Sequence, residues 1–280
     1  MNNIKNHFFP TSISETIKYL KDPNSQLLAG GSDLSLNVNV NTISLIDIQN
    51  LPLKYINKTD KGFEIGSLTT AYEIYNNKIL PLSLREAAFK VSDVPLLHVV
   101  TIGGNLSKLY PWCDLPPILW ALNASIKLYE NDGTLKDFNA DEFFEYSRNQ
   151  NVSNRNSLIT EIIIPKQLKN SFSQYQKFGL TEIDKGQVNV ASYFNWDDNG
   201  IVKEARIIVS AITKNIQRLK GIENIIIGKK INDQTIESCT SAIVKEVEII
   251  PSYKSSVEFR AEILRTYLKR TLRACKEAQL

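Results

Sequence analysis

With 280 residues, 42% of them hydrophobic and 22% charged, the chain has the apolar content for one large domain or two smaller ones with a real core. A formal net charge of +3, spread along the sequence, gives no reason to expect nucleic acid or an anionic membrane as a partner, and no apolar run approaches the ~20 residues that a bilayer span needs. Three dispersed cysteines, Cys113, Cys239 and Cys275, and two histidines, His7 and His98, provide no disulfide framework, no four-thiolate cluster and no metal-ligand spacing. Redox chemistry in this chain therefore needs an organic cofactor or a partner. The stretch from Met1 to Phe9 lacks the apolar core of a secretory signal, so a cytoplasmic location is expected.

In chain order, Ser12 and Glu15 form a capping box ahead of Ile17 and Leu20, which predicts a first helix. A short apolar strand, Gln26–Ala29, stops at Gly30-Gly31. Ser44–Ile48 and Phe63–Gly66 also have strand composition. Thr70 and Glu73 form a second capping box, and Leu80–Val91 has a helical pattern. A second short apolar strand, Val99–Ile102, is expected to run into the second glycine pair, Gly103-Gly104. Asp114 followed by Leu-Pro-Pro predicts a helix start, since proline is tolerated where early N–H groups need no partner. Ser125–Tyr129 is a predicted strand closed by an Asn-Asp-Gly turn, and Leu158–Ile164 a β-branched strand ending at Pro165.

The polar stretch Lys166–Ser173 is the expected domain boundary, separating residues 1–168 from 172–280. Beyond it, Gln187–Trp196 and Ile201–Ile212 flank Asp197-Asp198-Asn199-Gly200, a hairpin signal. Helices are expected over Gln217–Ile227, Asp233–Lys245 and Ser255–Cys275. Strands and helices mix without strict alternation, so both parts are expected to be α+β.

Two segments stand out as candidates for chemistry: Ala29-Gly30-Gly31-Ser32-Asp33-Leu34 and Thr101-Ile102-Gly103-Gly104-Asn105. Consecutive backbone N–H groups without an obstructing Cβ can cradle a phosphate, and two such turns can grip a pyrophosphate. Either segment can equally be a tight turn. Neither matches the dinucleotide-binding or P-loop patterns. Asp114 suits both a helix cap and an acceptor for cofactor hydroxyls or ring N–H. Lys177, in Tyr175-Gln-Lys177-Phe, fits a solvated surface position or a cation facing a reduced cofactor ring. Trp112, Trp120 and Trp196 suit a core or a stacking surface. No nucleophile–base–orienter set is present.

Together these segments resemble the FAD-binding subunit of the xanthine dehydrogenase and CO dehydrogenase type of molybdenum hydroxylase. AGGSDL at 29–34 and TIGGN at 101–105 carry the resemblance. It continues through Pro111-Trp-Cys-Asp114, Glu161-Ile-Ile-Ile-Pro165, Tyr175-Gln-Lys177, Gly228-Lys229 and Ser256-Val-Glu-Phe259-Arg260. It implies an FAD-binding unit of two α+β subdomains followed by a smaller C-terminal α+β domain. By the same resemblance the pyrophosphate lies on Leu28, Ala29, Gly30, Gly31, Ser32, Asp33 and Leu34, and on Thr101, Ile102, Gly103, Gly104 and Asn105. Ser107 and Lys108 line the ribityl chain and Ile159 packs on the flavin. Asp114 and Lys177 lie near its ring, with Lys177 the catalytic candidate. The sequence departs from the family at Leu180–Asp184, at Leu96-Leu97-His98 and at Val91, positions that bear on the electron acceptor and the flavin's surroundings.

The resemblance further implies a small partner with [2Fe–2S] clusters, a large partner with the molybdenum cofactor, and NAD⁺ or another acceptor at the end of an electron relay. Two other readings share the glycine loops. A stand-alone flavin oxidase would need a substrate base beside them, and none is evident. A scaffold subunit would need no intact loops. Purines, nicotinate, other N-heterocycles, aldehydes and CO all remain open as the substrate of the complex.

Overall fold

The computed structural model describes residues 4–37, 41–150 and 157–279. The elements in the first half are β1 (Asn6–Phe8), α1 (Ile13–Leu20), β2 (Ser25–Leu28), β3 (Ser44–Asp47), β4 (Ile56–Thr59), β5 (Gly62–Gly66), α2 (Ala71–Asn76), α3 (Leu82–Phe89), α4 (Val94–Leu97), α5 (Ile102–Lys108), α6 (Leu115–Ala121), β6 (Ser125–Tyr129) and β7 (Leu135–Phe138). The remainder are α7 (Ala140–Gln150), β8 (Leu158–Pro165), β9 (Ser171–Phe178), β10 (Val188–Trp196), β11 (Val202–Ser210), β12 (Gln217–Arg218), α8 (Lys220–Ile226), α9 (Asp233–Glu246) and α10 (Val257–Ala278). The fold class is α+β. Among the described residues no helix is long and apolar enough to cross a membrane.

The chain forms two compact units that interleave along the sequence. The first comprises Met1–Asn76, Asp93–Lys108 and Asn123–Pro165; the second comprises Asn77–Ser92, Leu109–Leu122 and Lys166–Leu280.

In the first unit, β1 and β2 both pair in parallel with the central β3. Helix α1 connects β1 to β2 and buries Ile17 and Leu20 against Ile46 and Ile48. Ser12 caps it by accepting from the Glu15 N–H at 3.2 Å, while the Glu15 carboxylate accepts from the Thr11 N–H rather than from Ser12. The Thr70–Glu73 capping box is reciprocal: the Thr70 hydroxyl accepts from the Glu73 N–H and the Glu73 carboxylate from the Thr70 N–H. A five-stranded antiparallel sheet, ordered β4-β5-β8-β6-β7, completes this unit. Its central strand, β8, supplies the buried Ile162 and Ile164.

The second unit is built on an antiparallel sheet ordered β12-β11-β10-β9. Alternate residues of a strand point to opposite faces. Thus Gln176 donates from β9 to the Tyr267 carbonyl of α10. Tyr175 and Lys177 face the other way, and reach Asp114 and the Lys90 carbonyl beside α6 and α3. Val190, Phe194, Ile207 and Val209 pack with Ile243 and Leu268 in the unit's apolar core. The turn at Asp197–Gly200 closes the β10–β11 hairpin as expected, with Gly200 at φ +77°.

Two sequence expectations need correction. Gln217 and Arg218 belong to the edge strand β12, and the helix begins only at Lys220, because their backbone pairs with Ile208 and Val209. Val99–Ile102 forms no strand: Thr101 makes a lone bridge to Thr70, and the chain then enters α5.

Candidate functional site

Strand β2 delivers the first glycine loop. The Leu28 carbonyl accepts from the Ile48 N–H at 3.0 Å and the Ala29 carbonyl from the Gln49 side chain at 3.1 Å, so the loop leaves a fixed strand end. Gly31 adopts φ +74°, the left-handed region that suits glycine. At Gly30 a Cβ would lie 1.5 Å from the Val99 carbonyl oxygen. That glycine is therefore required by the protein's own packing. After it, the Asp33 carbonyl accepts from the N–H groups of Leu36 and Asn37, closing a turn that buries Leu34. Among the described residues, no backbone hydrogen bond uses the N–H of Gly30, Gly31 or Ser32. These are successive donors of the kind that cradle a phosphate.

The second glycine segment is built differently, and the expectation of a second free N–H nest is corrected. Ile102 donates its N–H to the Thr69 carbonyl and Gly103 to the Ser67 carbonyl, both at 2.9 Å. Gly104 donates to the Thr101 hydroxyl at 3.2 Å. A Cβ on Gly103 would meet Ser67 Cβ at 2.6 Å, so close approach to Ser67 dictates that glycine. The segment is the capped first turn of α5, with its early donors already satisfied. Its side chains remain: the Thr101 hydroxyl, and Asn105, whose buried Oδ1 accepts no hydrogen bond among the described residues. Ser107 donates to the Gly104 carbonyl at 3.0 Å.

The two segments are neighbours within the first unit. Gly30 packs on Val99, two residues before Thr101. Lys108, at the end of α5, forms an ion pair with Asp33 at 2.9 Å. Ile159 is buried on β8; the next residue, Thr160, accepts at its carbonyl from the Ser67 N–H, and the Ser67 carbonyl in turn receives Gly103.

In the second unit Asp114 precedes α6, but its side chain makes no capping bond. Instead Oδ1 accepts from the Tyr175 hydroxyl at 2.6 Å and lies 3.3 Å from Lys177 Nζ. Lys177 also donates to the Lys90 carbonyl at 2.6 Å. The Lys177 and Asp114 side chains are only 3% and 4% exposed, which rules out the surface reading of the lysine. Burial pushes the Asp114 carboxyl up to about 6, against the opposing pull of Lys177 and Tyr175. Burial, reinforced by the Asp114 charge, raises the Tyr175 phenol well above its ordinary value. Sequence reasoning assigned no role to Tyr175 or Lys90. The signal for Tyr175 was its i, i+2 spacing from Lys177 on a strand; for Lys90, which acts through its backbone, there was none.

Other motif residues are structural. Glu161 sits between the Tyr55 hydroxyl at 2.7 Å and the Lys127 ammonium at 2.6 Å. Arg260 is buried and donates to the Ile250 carbonyl.

Comparison with known proteins gives two family matches. Residues 3–167 match the FAD binding domain in molybdopterin dehydrogenase, and residues 173–275 match the CO dehydrogenase flavoprotein C-terminal domain. The chain is 28% identical to the glyceraldehyde dehydrogenase medium chain of Sulfolobus acidocaldarius over 95% of both chains. It is 24% identical to the carbon monoxide dehydrogenase medium chain of Hydrogenophaga pseudoflava, over 95% of this chain and 94% of that one. The fold matches a chain in the solved structure of the carbon monoxide dehydrogenase from Hydrogenophaga pseudoflava with a TM-score of 0.86 and 21% identity, covering 99% of each. It matches one in quinoline 2-oxidoreductase from Pseudomonas putida 86 with a TM-score of 0.85 and 18% identity, covering 99% of this chain and 98% of that chain.

Proposed function

We propose, from the premise that this chain belongs to the FAD-binding subunits of the molybdenum hydroxylase family, that it is the exit module of a cytoplasmic electron relay. One observation carries the reading. Inside the domain that the family match covers, Gly30, Gly31 and Ser32 present successive N–H donors that no other described residue uses, and α5 carries the buried Asn105 Oδ1, which accepts no hydrogen bond from the described residues. This is the equipment a pyrophosphate-bearing cofactor needs. Leu28, Ala29, Asp33 and Leu34 shape that loop. Thr101, Asn105, Ser107 and Lys108 contribute side chains from α5, while Ile102, Gly103 and Gly104 hold α5 in place. Ile159 is proposed to pack on the flavin.

When bound, FAD supplies a two-electron store, filled from [2Fe–2S] clusters on a small partner subunit and emptied to NAD⁺ or another acceptor. A large partner with the molybdenum cofactor is proposed to hydroxylate the substrate. Residues 1–168 are proposed as the FAD-binding domain and 172–280 as the C-terminal domain. For Lys177 and Asp114 we propose a tuning role. Their buried charges are balanced against each other, and the protonation state of Asp114, whose carboxyl burial pushes up to about 6, is proposed to set the field at a reduced flavin.

Division of labour among subunits makes a direct test. The chain expressed alone, with FAD, is expected to accept electrons from NADH and to leave a panel of N-heterocycles and aldehydes untouched. Turnover of a heterocycle by this chain without iron or molybdenum would refute the relay and favour a stand-alone oxidase.

A further inference from the structure

Building on the FAD reading, we infer that Lys108 is the counter-ion of Asp33, and that this pair sets the affinity of the first glycine loop for the pyrophosphate of FAD. Asp33 holds the end of the loop in place. Its carbonyl accepts from the N–H groups of Leu36 and Asn37, and its Oδ1 accepts from the Asn37 side-chain amide at 2.9 Å. The Asp33 side chain thus braces the turn after Ser32 through Asn37. That brace puts a carboxylate one residue beyond the donors of Gly30, Gly31 and Ser32.

A pyrophosphate diester carries two negative charges, and a fixed carboxylate beside its site repels it. The backbone of the TIGGN segment cannot offset this, because Ile102, Gly103 and Gly104 already donate to Thr69, Ser67 and Thr101. The compensating charge comes from the other end of α5. Lys108 reaches Asp33 Oδ2 at 2.9 Å, and the two side chains are 22% and 29% exposed. Partial burial makes solvent and salt screen this pair less than an open surface pair. Lys108 therefore acts on phosphate through charge, by cancelling Asp33, rather than by lining the ribityl chain.

The full chain, stripped of flavin, is titrated with FAD and with riboflavin, which lacks phosphate, by flavin fluorescence. Lys108→Gln is expected to weaken FAD on the order of tenfold, the scale of one uncompensated charge in a partly screened site, and to leave riboflavin unchanged. Lys108→Arg is expected to retain FAD affinity. Asp33→Asn keeps an oxygen for Asn37 and is expected to bind FAD at least as tightly as the parent chain. The double variant Asp33→Asn/Lys108→Gln is expected to regain most of the loss.

The inference is overturned if the double variant binds FAD no better than Lys108→Gln, or if Lys108→Gln loses FAD and riboflavin equally. Should Lys108→Gln fail to fold, a weakened FAD complex in Asp33→Asn overturns it instead. Failure of the parent chain to bind FAD at all would remove the underlying cofactor reading, an outcome separate from a charge pair without effect.

Discussion

A lysine ammonium enclosed by protein needs a counter-charge, and Lys177 has one in Asp114 at 3.3 Å. The pair changes what a substitution should do. Removing the ammonium by Lys177→Met takes away the main influence holding the Asp114 carboxyl down, so its pKa rises beyond about 6 and it takes up a proton. At neutral pH the variant then exchanges a balanced ion pair for two neutral groups, and under the proposed tuning role the field at the flavin should barely change. At alkaline pH Asp114 ionises alone, and the anionic reduced flavin is disfavoured. We therefore predict that Lys177→Met lowers the flavin reduction potential only as pH rises. Asp114→Asn, which leaves the lysine uncompensated, should raise the potential above the parent's by roughly 30 mV at pH values above about 6, where Asp114 is otherwise ionised, and leave it near the parent's below that pH; this shift is equivalent to about 1.4 kcal/mol for a two-electron couple. Spectroelectrochemical titration across pH checks both. Potentials that match the parent's at every pH in both variants would deny this pair any tuning role.

At the scale of elements, the two glycine segments solve different problems. In the first, the backbone at Gly30 lies against the Val99 carbonyl, and the following N–H groups stay open. In the second, the donors at the start of α5 are already spent. Gly30→Ala is accordingly expected to cost at or beyond the upper end of the roughly 1–3 kcal/mol of ordinary overpacking. Gly104→Ala, whose Cβ would meet only the rotatable Thr101 hydroxyl at 2.8 Å, should stay within about 1 kcal/mol of the parent, since alanine is the better helix former. Chemical denaturation of the two variants measures this contrast. Equal destabilisation would contradict the packing distinction.

The Ser12 helix cap, the Thr70–Glu73 capping box and the Asp197–Gly200 turn were legible because their bonds join residues a few positions apart. Val99–Ile102 misled because its β-branched composition favours a strand, whereas the Leu96 carbonyl takes the Val99 and Val100 N–H groups and the distant Thr69 and Ser67 carbonyls take those of Ile102 and Gly103, where α5 starts. The same limit hid the Asp33–Lys108 and Asp114–Lys177 pairs. Each member was visible in the sequence, but the pairing is a product of tertiary structure.

For the whole molecule, the order of elements does not follow the compact units. Asn77–Ser92 and Leu109–Leu122 lie early in the chain but fold with Lys166–Leu280. No local pattern announces such an exchange, although the α+β character and the glycine loops were both readable. The relay account also predicts a stable heteromeric complex, with an interface on the order of 1,600 Å² or more.

The central claim is that this chain holds FAD, and the most direct test is to identify and count the cofactor released from the purified full chain. One FAD per chain is the predicted result, with a flavin absorption band near ~450 nm before release. A folded chain that carries no FAD, and takes up none when incubated with an excess, would contradict the account.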